Sequence, residues 1–326
     1  MRNGDWTVLV TPRSFARGDD ELRVALTEAV GEVHWRQDGT LEPAELAELA
    51  AQADGWIAGV EPIDRSVLEG AGRLRVIARY GVGTDSVDLD AAHERGIVVT
   101  NTPGANSGAV AELVIGLLFA LARRIPYADR RVRGGAWERV AGVGVEGRVV
   151  GLLGFGAIGR EVARRARALG CEVVAHDPYP AEELARSLGV ELASRDEVVA
   201  AADFLSLHLP VLPDTARLVD AAFLARMKPS SFLINAARGE LVDEPALVEA
   251  LRSGHLAGAA LDALSEEPPQ PPFALAELDT VVLTPHIGAS TDSAARAMGW
   301  GALENCLAVL RGQDPPNPIS PNARTS

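Results

Sequence analysis

The sequence predicts an α/β protein built from two parallel-sheet domains, and three observations carry that prediction. Strand-like and helix-like segments alternate almost from end to end, the pattern of repeated βαβ units. The strand-like runs are near-continuously apolar, as strands buried on both faces must be. The chain has 326 residues, more than one comfortable domain, and its glycine-rich turn falls near the middle rather than at the start.

The first series of strands reads Thr7–Val10, Val33–Trp35, Gly55–Ala58, Arg75–Ala78 and Ile97–Val99. Amphipathic helical stretches separate them, among them Asp20–Val30 and Pro43–Ala51. A second series runs Val149–Leu153, Glu172–His176, Phe204–His208, Phe232–Asn235, Gly258–Leu261 and Val281–Leu283. No strand follows the helical pattern after Thr291 (Ala294, Met298, Ala302, Cys306, Leu310), so that helix is expected to return to the first domain. Residues 1–104 and 290–326 then form a discontinuous, flavodoxin-like doubly wound domain, and residues 105–289 an inserted one. The two crossings, Asn101–Ser107 and Thr284–Asp292, are rich in Pro, Gly, Ser and Asn, and a ligand cleft is expected between them. The proline-rich tail from Gly312 is expected to be unfolded.

Composition narrows the function classes. A formal net charge of −14 lacks the basic footprint of a nucleic-acid binder and the polybasic segment of a membrane-surface protein. The longest apolar stretch, Leu113–Ala122, is too short to span a bilayer. Asp5 interrupts the N-terminus, so no signal peptide is read there. Cys171 and Cys306 are expected to be buried, Cys171 in a strand, and no CxxC or Cys/His cluster suggests a metal or a disulfide framework. A reduced, cytoplasmic protein is the expectation.

The mid-chain turn is Gly154-Phe-Gly156-Ala-Ile-Gly159, after five apolar residues and before the helix Ala157–Leu169. A GxGxxG alone is weak; placed between strand and helix it becomes a dinucleotide fingerprint. Gly154 permits the tight turn, Gly156 lets the backbone approach a pyrophosphate, and Gly159 lets helix and strand pack. The pyrophosphate would meet the helix N-terminus, where free N–H groups favour an anion. Asp177, 18 residues beyond Gly159, is placed to bind the ribose hydroxyls and to repel a 2′-phosphate. The inserted domain is therefore read as a Rossmann domain that takes NAD in preference to NADP.

Three later segments each follow an apolar run with a side chain capable of chemistry. They are Asn235-Ala-Ala-Arg238-Gly-Glu240, Leu261-Asp262-Ala-Leu-Ser-Glu-Glu267-Pro268 and Thr284-Pro-His286-Ile-Gly288. Singly, Arg238 could be a surface residue, Glu267 a turn cap and His286 a satisfied loop histidine. Together they fall at successive strand C-termini, the edge where doubly wound sheets bind ligands. A cation, a carboxylate and an imidazole beside a nucleotide site are the parts needed to move a hydride and a proton together.

This set of motifs, in this order and spacing, resembles the D-isomer-specific 2-hydroxyacid dehydrogenases over essentially the whole chain. Arg79-Tyr-Gly81-Val-Gly83-Thr-Asp85 and Asn101-Thr-Pro103-Gly-Ala-Asn106-Ser107 look most like the phosphoglycerate dehydrogenase branch. The resemblance implies that Arg238 holds the substrate carboxylate and polarises the C2 oxygen, using its fork of donors. His286 would take the C2 hydroxyl proton and return it in reduction, and Glu267 would orient His286 and stabilise its imidazolium. Backbone amides around Val82 and Gly83 would bind the carboxylate. Ala157, Ile158, Leu209, Ala236 and Asp262 match positions that line the cofactor site, and a homodimer is the family expectation, with the apolar helix Ala109–Leu121 as the candidate interface.

The chain also departs from that branch. An Arg-Ser pair usual after the third strand is absent, and the chain reads Ala58-Gly59-Val60-Glu61-Pro62. The usual Asp-Asn of the carboxylate loop is Asp85-Ser86, and the C-terminal regulatory extensions are missing. Arg13, with Arg79 and Asn106, could instead hold a distal phosphate, phosphonate, sulfonate or carboxylate. The alternatives are a glyoxylate or hydroxypyruvate reductase and an NAD(H)-sensing protein similar to the corepressor C-terminal-binding protein. The short tail speaks against the corepressor.

Overall fold

Every strand of the computed structural model, which describes residues 4–37 and 41–320, lies in one of two wholly parallel sheets. The chain folds as two compact units, one from residues through Asn106 and from Ser290 onward, the other Ser107–Ala289.

The first unit runs β1 (Thr7–Val10), α1 (Asp20–Ala29), β2 (Glu32–Trp35), α2 (Pro43–Gln52), β3 (Gly55–Ala58), α3 (Arg65–Leu68), β4 (Val76–Arg79), α4 (Leu89–Glu94) and β5 (Val98–Thr100). Its strand order, β2-β1-β3-β4-β5, is the flavodoxin-like order. Strands β3 and β4 are buried at every residue because helices cover both faces of the sheet. Asp19, Asp64 and Asp88 cap α1, α3 and α4, accepting first-turn amides that would otherwise lack partners. The last helix, α12 (Asp292–Leu310), buries Ala302, Cys306 and Leu310 against β1, β3 and β4. Its return to this unit closes the apolar face that α1 leaves uncovered.

The second unit begins with α5 (Ser107–Ala122) and α6 (Ile125–Arg133). It continues β6 (Val149–Leu153), α7 (Ala157–Ala168), β7 (Glu172–His176), α8 (Glu182–Leu188), β8 (Glu191–Leu192), α9 (Arg195–Ala201) and β9 (Phe204–Leu207). Then come α10 (Ala221–Arg226), β10 (Ser231–Asn235), α11 (Glu244–Arg252), β11 (Leu256–Leu261) and β12 (Val281–Leu283). The order β12-β11-β10-β9-β6-β7-β8 is doubly wound, with its switch point between β6 and β9. The two faces carry separate cores, one joining Val150 and Leu152 to α5 and α7, the other around Leu153, Leu205 and Leu233.

Two expectations are corrected. Cys171 is buried but precedes β7 instead of lying in it. The tail is ordered through residue 320. Ile319 donates its amide to Val99 O (2.8 Å), Asn101 N donates to Asn317 O (3.3 Å), and Asn317 N donates to the buried Asn305 Oδ1 (3.0 Å). Strand β5 is an edge with backbone groups left open by the sheet, and the tail satisfies them. Prolines suit that position because few ladder donors are required of them. Pro321 lies outside the described residues.

Candidate active site

The C-terminal edge of the second sheet gathers the fingerprint. Gly154 has φ +99°, and a Cβ there would lie 2.2 Å from His208 O. A Cβ on Gly159 would lie 2.3 Å from Gly154 O, so turn and helix touch backbone to backbone. Gly156 caps α7 and has open space above it, which leaves the helix N-terminus accessible to a phosphate. Asp177 follows β7 and accepts from Phe155 N (2.7 Å) and Tyr179 N (2.8 Å), which fixes its carboxylate beside the turn. Ala157 and Ile158 open α7, Leu209 follows β9 and Ala236 follows β10, all on this edge. A glycine cradle, a helix N-terminus and a fixed carboxylate are the donor and acceptor set that a dinucleotide requires.

Arg238 lies three residues past β10. Its carbonyl accepts from Asn235 Nδ2 (2.8 Å), and its Nη1 donates to Ala237 O (2.9 Å). A Cβ on Gly239 would fall 1.9 Å from Leu264 C, so this loop packs directly on the backbone that leads to Glu267. Glu267 accepts Leu264 N on Oε1 (2.9 Å) and meets His286 Nδ1 through Oε2 (2.8 Å). A carboxylate on Nδ1 fixes the tautomer with the proton there and leaves Nε2 as the exchangeable base.

His286 has φ +51°, a left-handed conformation that costs a non-glycine residue roughly 1–3 kcal/mol. The buried Asp262 holds it there. Its Oδ1 accepts Thr284 Oγ1 (2.6 Å) and Ile287 N (2.8 Å), its Oδ2 accepts Gly288 N (2.8 Å), and its carbonyl accepts His286 N (2.9 Å). Both side-chain oxygens of Asp262, a residue expected to line the cofactor site, accept hydrogen bonds from the loop that carries the imidazole. Sequence reading also passes over His208, wedged between Gly154 and Gly159, its Nε2 within 3.0 Å of Ser206 Oγ. Burial pushes His208 down to about 4, so the ring beneath the turn is neutral. Its signal is its place two residues after a buried serine at the end of β9.

The remaining candidates belong to the first unit. The carbonyls of Gly81, Val82 and Gly83 are taken by Thr102 N (3.0 Å), Asn101 Nδ2 (2.8 Å) and Arg79 Nε (2.9 Å). The amides of Val82 and Gly83 make no hydrogen bond among the described residues, and they are the groups that could receive an anion. Arg79 is 5% exposed and also donates Nη1 to Ala58 O (3.0 Å). Its guanidinium thus braces the loop. Arg13 is exposed beyond β1, and Asn106 Oδ1 is buried without a partner among the described residues.

The family model for the D-isomer specific 2-hydroxyacid dehydrogenase NAD binding domain matches residues 115–288. D-3-phosphoglycerate dehydrogenase 2 of Arabidopsis thaliana is 43% identical over 298 residues, 90% of this chain and 47% of that protein. D-3-phosphoglycerate dehydrogenase of Methanocaldococcus jannaschii is 43% identical over 90% of this chain and 56% of its own length. The chain therefore spans about half the length of these relatives. Among solved structures, the TT0316 protein of Thermus thermophilus is 42% identical with a TM-score of 0.88, covering 96% of this chain and 100% of that one. A glyoxylate reductase from Paecilomyes thermophila is 30% identical with a TM-score of 0.84, covering 97% and 98%.

Proposed function

The chain belongs to the D-isomer-specific 2-hydroxyacid dehydrogenases, and from that membership we propose that it interconverts a D-2-hydroxy acid and its 2-oxo acid with NAD. The observation that carries this reading is the 2.8 Å contact between His286 Nδ1 and Glu267 Oε2, on the sheet edge that also holds the fingerprint and Arg238.

Gly154, Gly156, Gly159 and the α7 N-terminus would hold the NAD pyrophosphate, and Asp177 its ribose. NAD, when bound, supplies the hydride acceptor and donor. His286 Nε2 removes the C2 hydroxyl proton in oxidation and returns it in reduction. Glu267 keeps the imidazole in the tautomer that can do so and sits against the positive charge that forms on it. Arg238 polarises the C2 oxygen and binds the carboxylate, for which its planar fork is suited. The Val82 and Gly83 amides would also bind a carboxylate, and Asp262 keeps the imidazole loop in its left-handed turn.

We place the protein in the cytoplasm as a homodimer through α5. No helix among the described residues is long and apolar enough to cross a membrane. The names of the relatives favour a second anionic group on the substrate, for which Arg13 and Asn106 are the candidates; Glu61, on the same edge of the first unit, weighs against it. The test is a panel of 2-oxo acids supplied with NADH or NADPH, followed by loss of reduced-nicotinamide absorbance. Turnover of at least one acid with NADH preferred supports the reading, and no turnover on any rejects it.

A further inference from the structure

Beyond β3, where the chain reads Gly59-Val60-Glu61, the first unit builds a fixed carboxylate. Trp56 Nε1 donates to Thr11 Oγ1 (3.1 Å), so the hydroxyl acts as acceptor there and its own proton is free for another group. Thr11 Oγ1 bonds Glu61 Oε1, which also accepts Gly59 N (2.9 Å). Trp56 is fully buried and Thr11 is 7% exposed, so the chain of bonds is anchored in the core. The second oxygen, Oε2, accepts no hydrogen bond among the described residues. A Cβ on Gly59 would stand 2.6 Å from Oε2, so glycine clears the space this oxygen occupies. Glu61 is thus an oriented side chain with one acceptor left open, in contrast to a carboxylate free to move in solvent.

Glu61 follows β3, the neighbour of β4, which leads into the carboxylate loop. The carbonyls of Gly81 and Val82 are drawn to Thr102 and Asn101, just past β5. A trans peptide points its N–H opposite to its C=O. The amides of Val82 and Gly83 are therefore turned away from β5, toward the flank where β3 neighbours β4. Arg79 ties the two loops together, with Nε on Gly83 O and Nη1 on Ala58 O, three residues before Glu61.

We propose that Glu61 reads the distal end of the substrate and selects a 2-hydroxy acid bearing a hydrogen-bond donor there, a hydroxyl or an ammonium, over one bearing a phosphate, phosphonate or sulfonate. The inference rests on the function proposed above, with the substrate carboxylate on the Val82 and Gly83 amides. A donor satisfies Oε2 directly, whereas a dianion meets like charge and leaves Oε2 desolvated without a partner. Discrimination by a hydrogen-bonding site of this kind amounts to about tenfold or more.

The experiment compares kcat/KM for D-glycerate, D-isoserine and D-3-phosphoglycerate with NAD in the unmodified enzyme, in Glu61→Gln, in Glu61→Arg and in Thr11→Val. The unmodified enzyme should favour glycerate or isoserine over phosphoglycerate by about tenfold or more. Glu61→Gln and Thr11→Val should narrow that ratio, and Glu61→Arg should invert it. A preference for phosphoglycerate in the unmodified enzyme overturns the proposal with no need of a folded variant. An unchanged ratio in folded Glu61→Arg overturns it as well. If the unmodified enzyme oxidises none of the three and the wider panel is also inert, the proposed reaction itself fails; turnover with the ranking reversed rejects the selection alone.

Discussion

His286 Nδ1 and Glu267 Oε2 lie 2.8 Å apart although the two residues are 19 positions apart in sequence and neither is in a helix or strand. The contact exists because two loops are braced separately. Asp262 grips the residues on both sides of His286, and Leu264 N holds the other oxygen of Glu267. The imidazole is thereby aimed with Nε2 outward before any substrate arrives.

The first prediction concerns the His286–Glu267 pair. Glu267→Gln keeps a side chain able to hydrogen bond Nδ1 but removes the carboxylate charge against which the imidazolium forms. Turnover in 2-oxo acid reduction should fall in that variant while NADH affinity is retained. Turnover equal to that of the unmodified enzyme would make Glu267 a structural residue.

A second prediction concerns the cofactor. Asp177→Ala should raise the KM for NAD and narrow the preference over NADP, because the carboxylate fixed by Phe155 N and Tyr179 N repels a 2′-phosphate. Equal or better kcat/KM with NADP in the unmodified enzyme would refute it.

Acid stability supplies a third. His208 titrates at about 4 in the fold against an ordinary value of 6.5. Below pH 6.5 the unfolded chain binds a proton that the fold refuses, so this group lowers stability as pH falls from 6.5 toward 4, by an amount on the order of 2–3 kcal/mol. His208→Gln should lose less of its melting temperature between pH 7 and pH 5 than the unmodified protein. An identical fall in both would assign the acid sensitivity elsewhere.

The fourth tests Arg13. On the account given, Glu61 governs the distal end, so Arg13→Ala should change kcat/KM for D-glycerate and D-3-phosphoglycerate by similar factors. A loss confined to phosphoglycerate would restore Arg13 as a distal-anion ligand.

Much of the molecule is legible in the sequence, for identifiable reasons. Strands β3, β4 and β10 are buried at every residue, so their apolar runs announce them. Gly154, Gly156 and Gly159 each answer a backbone requirement visible in spacing alone. The task of Asp262 is hidden because its partners, Thr284, Ile287 and Gly288, meet it only after β11 and β12 pair. The bonds from Arg79 to Ala58 O and Gly83 O are hidden in the same way, since nothing local in the sequence announces them. The order of the tail is equally hidden, since its contacts are with β5 and Asn305, far back in the chain. Tertiary acceptors for polar side chains carry no periodicity.

The most direct test of the central claim compares the unmodified enzyme with His286→Ala on its best 2-oxo acid, with NADH affinity measured separately by nucleotide fluorescence. Turnover should fall by about 10²–10⁴-fold while NADH affinity is retained. Turnover that survives the substitution, or that falls only in step with lost NADH binding, would contradict His286 as the proton-transferring group.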